Sequence, residues 1–193
     1  MIGTLSQKTA SKSFQTSWSL GLTEALILLG LGALAVGLHQ VLRAPLGLAG
    51  RHGIEWMALL IAGRVFSRFR GAASLTSLGA AGVSMLPLWG AVDDPFIWLI
   101  YMLPGPIMDC AFWALPQLAD KIWFLALLGG LAHMTKPIAR AVIVVAMGWS
   151  YGSFRYGVLE PILSHLLFGA IGGFLAAVAV MGIRLLPAKP KEE

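Results

Sequence analysis

From the N-terminus, a polar lead-in rich in Ser, Thr and Lys over residues 1–18 gives way to an apolar run, and apolar blocks then alternate with short polar breaks to the end of the chain. A helix needs roughly 20 apolar residues to cross a bilayer. Blocks of that order lie at 20–42, 53–70, 71–88, 95–115, 122–147 and 160–186. The first continues past the cleavage-like Ala33-Leu34-Ala35 and is too long for a signal peptide, so it reads as a helix. The second is interrupted by Arg64 and closes in a basic cluster of Arg64, Ser67, Arg68 and Arg70. Asp93-Asp94-Pro95 supplies an acidic cap and a first-turn proline to the fourth, and Pro104-Gly105-Pro106 predicts a kink or break midway along it. Lys136-Pro137 predicts the same for the fifth. Trp149, Tyr151 and Tyr156 mark an interfacial loop, since such aromatics favour the headgroup level.

The pattern predicts an all-α integral membrane fold, a six-helix transmembrane bundle with a broken or kinked fifth span. Residues 1–18 form a cytoplasmic lead-in, 19–186 the transmembrane domain and 187–193 a cytoplasmic tail. Composition agrees: of 193 residues, 58% are hydrophobic and 12% charged, against about 25% charged in soluble domains, and the mean hydropathy is +0.79.

The net charge of +5 is scattered over helix ends and builds no basic face, so nucleic acid is not an expected partner. These charges act as topology signals. Lys8, Lys12, Arg68, Arg70, Lys121, Arg184, Lys189 and Lys191 fall on one side, and the positive-inside rule puts that side and both termini in the cytoplasm of a multi-pass protein of the cell membrane. Cys110 is the single cysteine, which excludes an internal disulfide and a cysteine-rich cluster. It reads as a small buried hydrophobe.

Ionisable groups are scarce in the apolar blocks, which makes those present informative. Lys136 and Arg140 stand one turn apart and share a face of the fifth span if it is helical. Charges at that depth demand an aqueous cavity or anionic partners, so they are the first candidates for a binding site, with His133 beside them. Their partners are Glu55, Asp109, or the carboxylate or phosphate of a ligand. The alternative is that both side chains snorkel into headgroups. Asp109 has a structural ion pair as its other reading. The turn-rich stretch 45–56, carrying Arg51, His52, Glu55 and Trp56, reads as a lid over this site from the external rim, and Tyr151 joins it from the interfacial loop. Of the aromatic group Trp98, Tyr101, Phe112 and Trp113, one or two stack in the pocket at most.

His39, His52, His133 and His165 raise a haem or metal alternative. No His-Glu-x-x-His spacing is present, and the reading is of no cofactor and no metal. No phosphate loop, nucleophile elbow or other catalytic constellation occurs, so no enzyme is expected. Small residues recur four apart in three stripes: His165, Gly169, Gly173 and Ala177; Ala73, Ser77 and Ala81; and, interrupted by Leu29, Gly21, Ala25, Ala33 and Gly37. Each permits close helix contact, within the bundle or with a partner subunit.

Taken with the span count, the long external first loop and the glycine-rich last helix from His165 to Gly173, the chain resembles a substrate-binding S component of the energy-coupling-factor vitamin transporters. The family's Ala-x-x-x-Ala docking motif stands here as Ala33-Leu34-Ala35-Val36-Gly37, which keeps the small surface. The resemblance implies capture of a small vitamin-like molecule, closure of the first loop over it, and docking on a membrane coupling subunit driven by cytoplasmic ATPases. Ala33, Gly37, Gly169 and Gly173 would serve that docking. The alternative function is a membrane anchor or assembly subunit of a larger complex, redox-linked if the histidines hold haem.

Overall fold

The computed structural model describes residues 17–42, 50–87, 94–155 and 157–185. The lead-in before Ser17, the loop segment 43–49, Asp93, Tyr156 and the tail lie outside them. Among the described residues the chain is all-helical: α1 Leu22–Val41, α2 Gly53–Phe66, α3 Ala72–Ser84, α4 Ile97–Met102, α5 Pro104–Ala114, α6 Ile122–Met147 and α7 Leu159–Leu185, with single 3-10 turns at Pro116–Leu118 and Gly152–Phe154. Leu103 alone separates α4 from α5 and keeps helical angles (φ −58°, ψ −41°), so the two form one interrupted rod and the architecture is six-helical.

Four of the six are long and apolar enough to cross a membrane: α1, the α4–α5 rod, α6 and α7. Their outward faces are apolar and left uncovered, as in Leu22, Leu26, Leu34, Val142, Val145, Leu167 and Leu175. Only 22% of the most apolar window of α1 is buried. Such surface is stable against acyl chains, not water. Cys110 belongs to this outer surface, exposed on α5, contrary to its expected burial.

The helices close a ring in which α7 packs on α6, α6 on α5, α5 on α3, α3 on α1, α1 on α2, and α2 back on α7. Glycines set its closest crossings, where lipid supplies no hydrophobic drive and backbone proximity does the work. A Cβ on Gly169 would sit 2.5 Å from the Gly129 carbonyl oxygen, and one on Gly173 2.3 Å from that of Leu125. Gly169 and Gly173 are thus consumed in the α6–α7 seam and are not the predicted partner surface. The α3 stripe is also internal, with Ala73 and Ser77 fully buried. Ala33 and Gly37 remain half-buried on α1.

Two expectations about breaks divide. The Pro104 break is found in the α4–α5 rod, but α6 runs uninterrupted through Pro137. A proline removes one N–H and its ring crowds the carbonyl four residues back; here that costs the bond to the His133 carbonyl, while the remaining ladder holds.

One end of the ring is tied by polar contacts. Ser17 pairs with the α2–α3 loop through its N–H to the Arg68 carbonyl (2.7 Å) and its carbonyl to the Arg70 N–H (2.9 Å). Ser67 Oγ donates to Glu24 Oε1 at 2.6 Å. Asp120, after α5, pairs with Arg184 at the end of α7.

Candidate functional site

The turn ahead of α2 is the unusual element. Gly50 adopts φ +78°, left-handed backbone that glycine tolerates best, and Gly53 starts α2 against the ring of His133. His133 lies near the middle of α6, so this turn sits at mid-helix depth and not at the rim where a surface lid was expected. From this turn α2 runs for 14 residues and ends at Phe66, about 21 Å of helix, shorter than the 53–70 span expected. Irregular backbone at such depth is tolerated where it is buried in protein or lines a cavity.

Around this turn all four histidines of the chain gather. His52 lies 4.5 Å from His39, 4.8 Å from His133 and 5.6 Å from His165 between ring centroids. The His133 and His165 rings stack at 4.6 Å and 27°. Each of these two has one nitrogen anchored: His133 Nε2 to the Gly50 carbonyl at 3.2 Å, His165 Nδ1 to the Pro161 carbonyl at 2.7 Å. A carbonyl only accepts, so those nitrogens carry the protons.

Lys136 is 2% exposed and points inward, which rules out snorkelling. Its Nζ lies 3.2 Å from His52 Nε2, 3.8 Å from the Tyr101 ring centre and 5.1 Å from that of Trp56. Trp56 and Tyr101 meet edge to face at 5.6 Å, so an ammonium is held against two π faces. One turn further, Arg140 lies over the Tyr151 ring at 5.1 Å, and Tyr151 donates from its hydroxyl to Asp94 Oδ1 at 3.1 Å. Burial, then the Asp94 carboxylate, push the Tyr151 phenol up to about 12.

The structure therefore brings together His52, His133, Lys136, Arg140, Trp56 and Tyr151, with Glu55 within electrostatic reach of Lys136. It leaves two expected members outside. Arg51 turns away and donates to the Leu42 carbonyl. Asp109 is claimed by Arg64, Nε to Oδ1 at 3.1 Å, and accepts the N–H groups of Ala73 (3.2 Å) and Ser74 (2.8 Å). That carboxylate caps the N-terminus of α3 from a neighbouring helix, where the macrodipole favours negative charge. Arg64 also lies 4.7 Å from the Phe112 ring centre. Asp109 is a structural residue by this geometry.

His165 and Tyr101 are the members that sequence reasoning had not assigned to the site. His165 was read as the head of a packing stripe and as one of four histidines of a haem or metal alternative, and Tyr101 as one of four aromatics of which one or two could stack in the pocket. Trp98 and Trp113 of that group are exposed.

Neither Lys136 nor Arg140 has a carboxylate ion pair among the described residues. Also buried without a hydrogen-bond partner there are Trp56 Nε1, His133 Nδ1, Arg140 Nε and His165 Nε2. Buried polar atoms are normally satisfied.

An all-helical chain with four candidate spans around a polar interior is a multi-pass membrane protein. It matches no protein-family model, no curated protein sequence and no solved structure.

Proposed function

We propose that this protein is the substrate-binding subunit of an energy-coupling-factor importer, a six-span bundle with cytoplasmic termini. It captures a small water-soluble, vitamin-like or anionic metabolite from the external side. The observation that carries the reading is the buried Lys136 with the half-buried Arg140 one turn further, without an ion pair among the described residues and beside Trp56, Tyr101 and Tyr151. An ionised group at bilayer depth costs at least about 2.5 kcal/mol on the most lenient scale. An anionic ligand offsets that cost, with Arg140 binding bidentately and Lys136 as a point charge. The aromatic faces suit a flat ring carried by the same molecule.

In this reading the 50–56 turn is the inner wall of the site, and its glycines allow it to move with ligand entry. The half-buried Ala33 and Gly37 on α1 offer the docking face for a membrane coupling subunit, which cytoplasmic ATPases energise. Purification from the native membrane in mild detergent tests the assignment. A coupling subunit and ATPases should co-purify in fixed ratio, and their consistent absence, with other membrane subunits in their place, would overturn it.

A further inference from the structure

We infer that His52, His133 and His165 form a three-imidazole site for a divalent transition-metal ion of the zinc, cobalt and nickel class. Their ligand atoms all lie within 4.8 Å of one another. The three come from separate elements, the turn before α2, the middle of α6 and the first third of α7, so no local repeat generates the convergence. Three imidazoles with an open fourth position are a recurrent donor set for such ions.

The tautomers favour a metal over a proton. His133 donates through Nε2 to Gly50, and His165 through Nδ1 to Pro161. In the neutral ring the other nitrogen then holds a lone pair, and these two atoms, His133 Nδ1 and His165 Nε2, are buried without a hydrogen-bond partner. A metal-ligating histidine characteristically donates its second N–H to a carbonyl, which fixes ring orientation and raises basicity. Both rings meet that description.

Tetrahedral coordination at 2.0–2.1 Å requires donor nitrogens roughly 3.4 Å apart. The triad must therefore contract: His133 and His165 have to open their stack, whose near-parallel planes (27°) keep their in-plane lone pairs from converging, and His52, the half-buried member on the glycine-flanked turn, has to turn toward them. Lys136 opposes the contraction, because its ammonium both occupies His52 Nε2 at 3.2 Å and repels a cation. Metal binding and the Lys136–His52 contact are mutually exclusive at that nitrogen. An anionic group at the fourth position would draw Lys136 away, and so couple the metal site to the anion site proposed above. The metal site itself does not depend on the importer assignment.

The test uses untagged full-length protein in detergent, stripped with chelator and titrated with Co²⁺, then with Zn²⁺ in competition. The expected result is saturable binding of about one ion per chain, with the visible absorption of tetrahedral Co²⁺, abolished by Zn²⁺. His133→Gln and His165→Gln should each weaken binding at least tenfold, and Lys136→Met should tighten it several-fold. Folding of each variant is checked by its melting temperature without metal. If a variant fails to fold, His52→Gln on the turn and the metal-dependent rise in wild-type melting temperature carry the test. Absence of saturable Co²⁺ binding, or binding unchanged in the histidine variants, overturns the metal site. The importer reading survives that result, and loss of the importer reading leaves a positive titration standing.

Discussion

Asp109→Asn is the substitution whose effect follows most directly from the geometry. It keeps the shape of the side chain and removes its charge. Three dependents lose by it: Arg64, 1% exposed and paired at 3.1 Å, and the Ala73 and Ser74 N–H groups that the carboxylate caps. Removing one partner of a buried ion pair costs about 3–5 kcal/mol, because the remaining charge stays buried. The loss of an N-terminal cap alone costs about 1 kcal/mol. These overlap at one carboxylate and are not summed, so the expected loss is about 3–5 kcal/mol. Equilibrium unfolding in mixed micelles, read by tryptophan fluorescence, measures it. A double-mutant cycle with Arg64→Met should recover much of the loss, since an apolar pair strands no charge. If Asp109→Asn costs less than about 1 kcal/mol, or Arg64→Met adds its full effect to it, the pair is not the buried tie described.

Other substitutions probe the seam, the turn and the rim. Gly169→Ala places a methyl 2.5 Å from the Gly129 carbonyl oxygen and should cost about 1–3 kcal/mol by overpacking, measured by the same unfolding assay; a neutral result would mean that α6 and α7 are not in backbone contact. Gly50→Ala combines φ +78° with a Cβ 2.7 Å from His165 Nδ1. It should lower the melting temperature and displace the histidine cluster, seen as changed imidazole signals in NMR spectra. Tyr151 should ionise late, near 12. The raised value means that its neutral form is favoured in the fold. Its contribution is complete below the unfolded value near 10 and is lost as pH rises through about 12. In alkaline absorbance titration Tyr151→Phe should delete the tyrosinate step near 12.

The apolar blocks made the long helices legible. The fifth was bounded correctly at 122–147 because Lys121 precedes the helix and Gly148, at φ +68°, ends it in left-handed backbone. The second and third came out shorter than their apolar lengths. For α2 the start at Gly53 agrees, and the shortfall is at the other end, where Ser67 turns extended (φ −88°, ψ 142°) ahead of the basic cluster. Of the kink or break expected at Pro137 the break is not found, because a long membrane helix loses one hydrogen bond there and keeps the rest.

The cost of charge at depth singled out Lys136, but its inward direction was not legible, since snorkelling to headgroups fits the same sequence and only the packing around it decides. Nor was the partner of Asp109, since Arg64, Lys136 and Arg140 were all available on composition and only the packing of α2 against α3 and α5 selects one. The histidine cluster was beyond sequence spacing for the same reason. His52, His133 and His165 share no helical period, and they meet because glycines at 50, 53, 169 and 172 let the turn and three helices approach to backbone distance.

The central claim is that Lys136 and Arg140 hold a small anionic molecule within the bundle. Native mass spectrometry of the full chain, released gently from detergent, tests it most directly. The wild-type protein should carry a stoichiometric adduct of small mass that organic extraction recovers, and Lys136→Ala and Arg140→Ala should each lose it while retaining a cooperative melt. An adduct retained in both variants, or a wild-type protein free of any adduct when purified from its native membrane, would contradict the account.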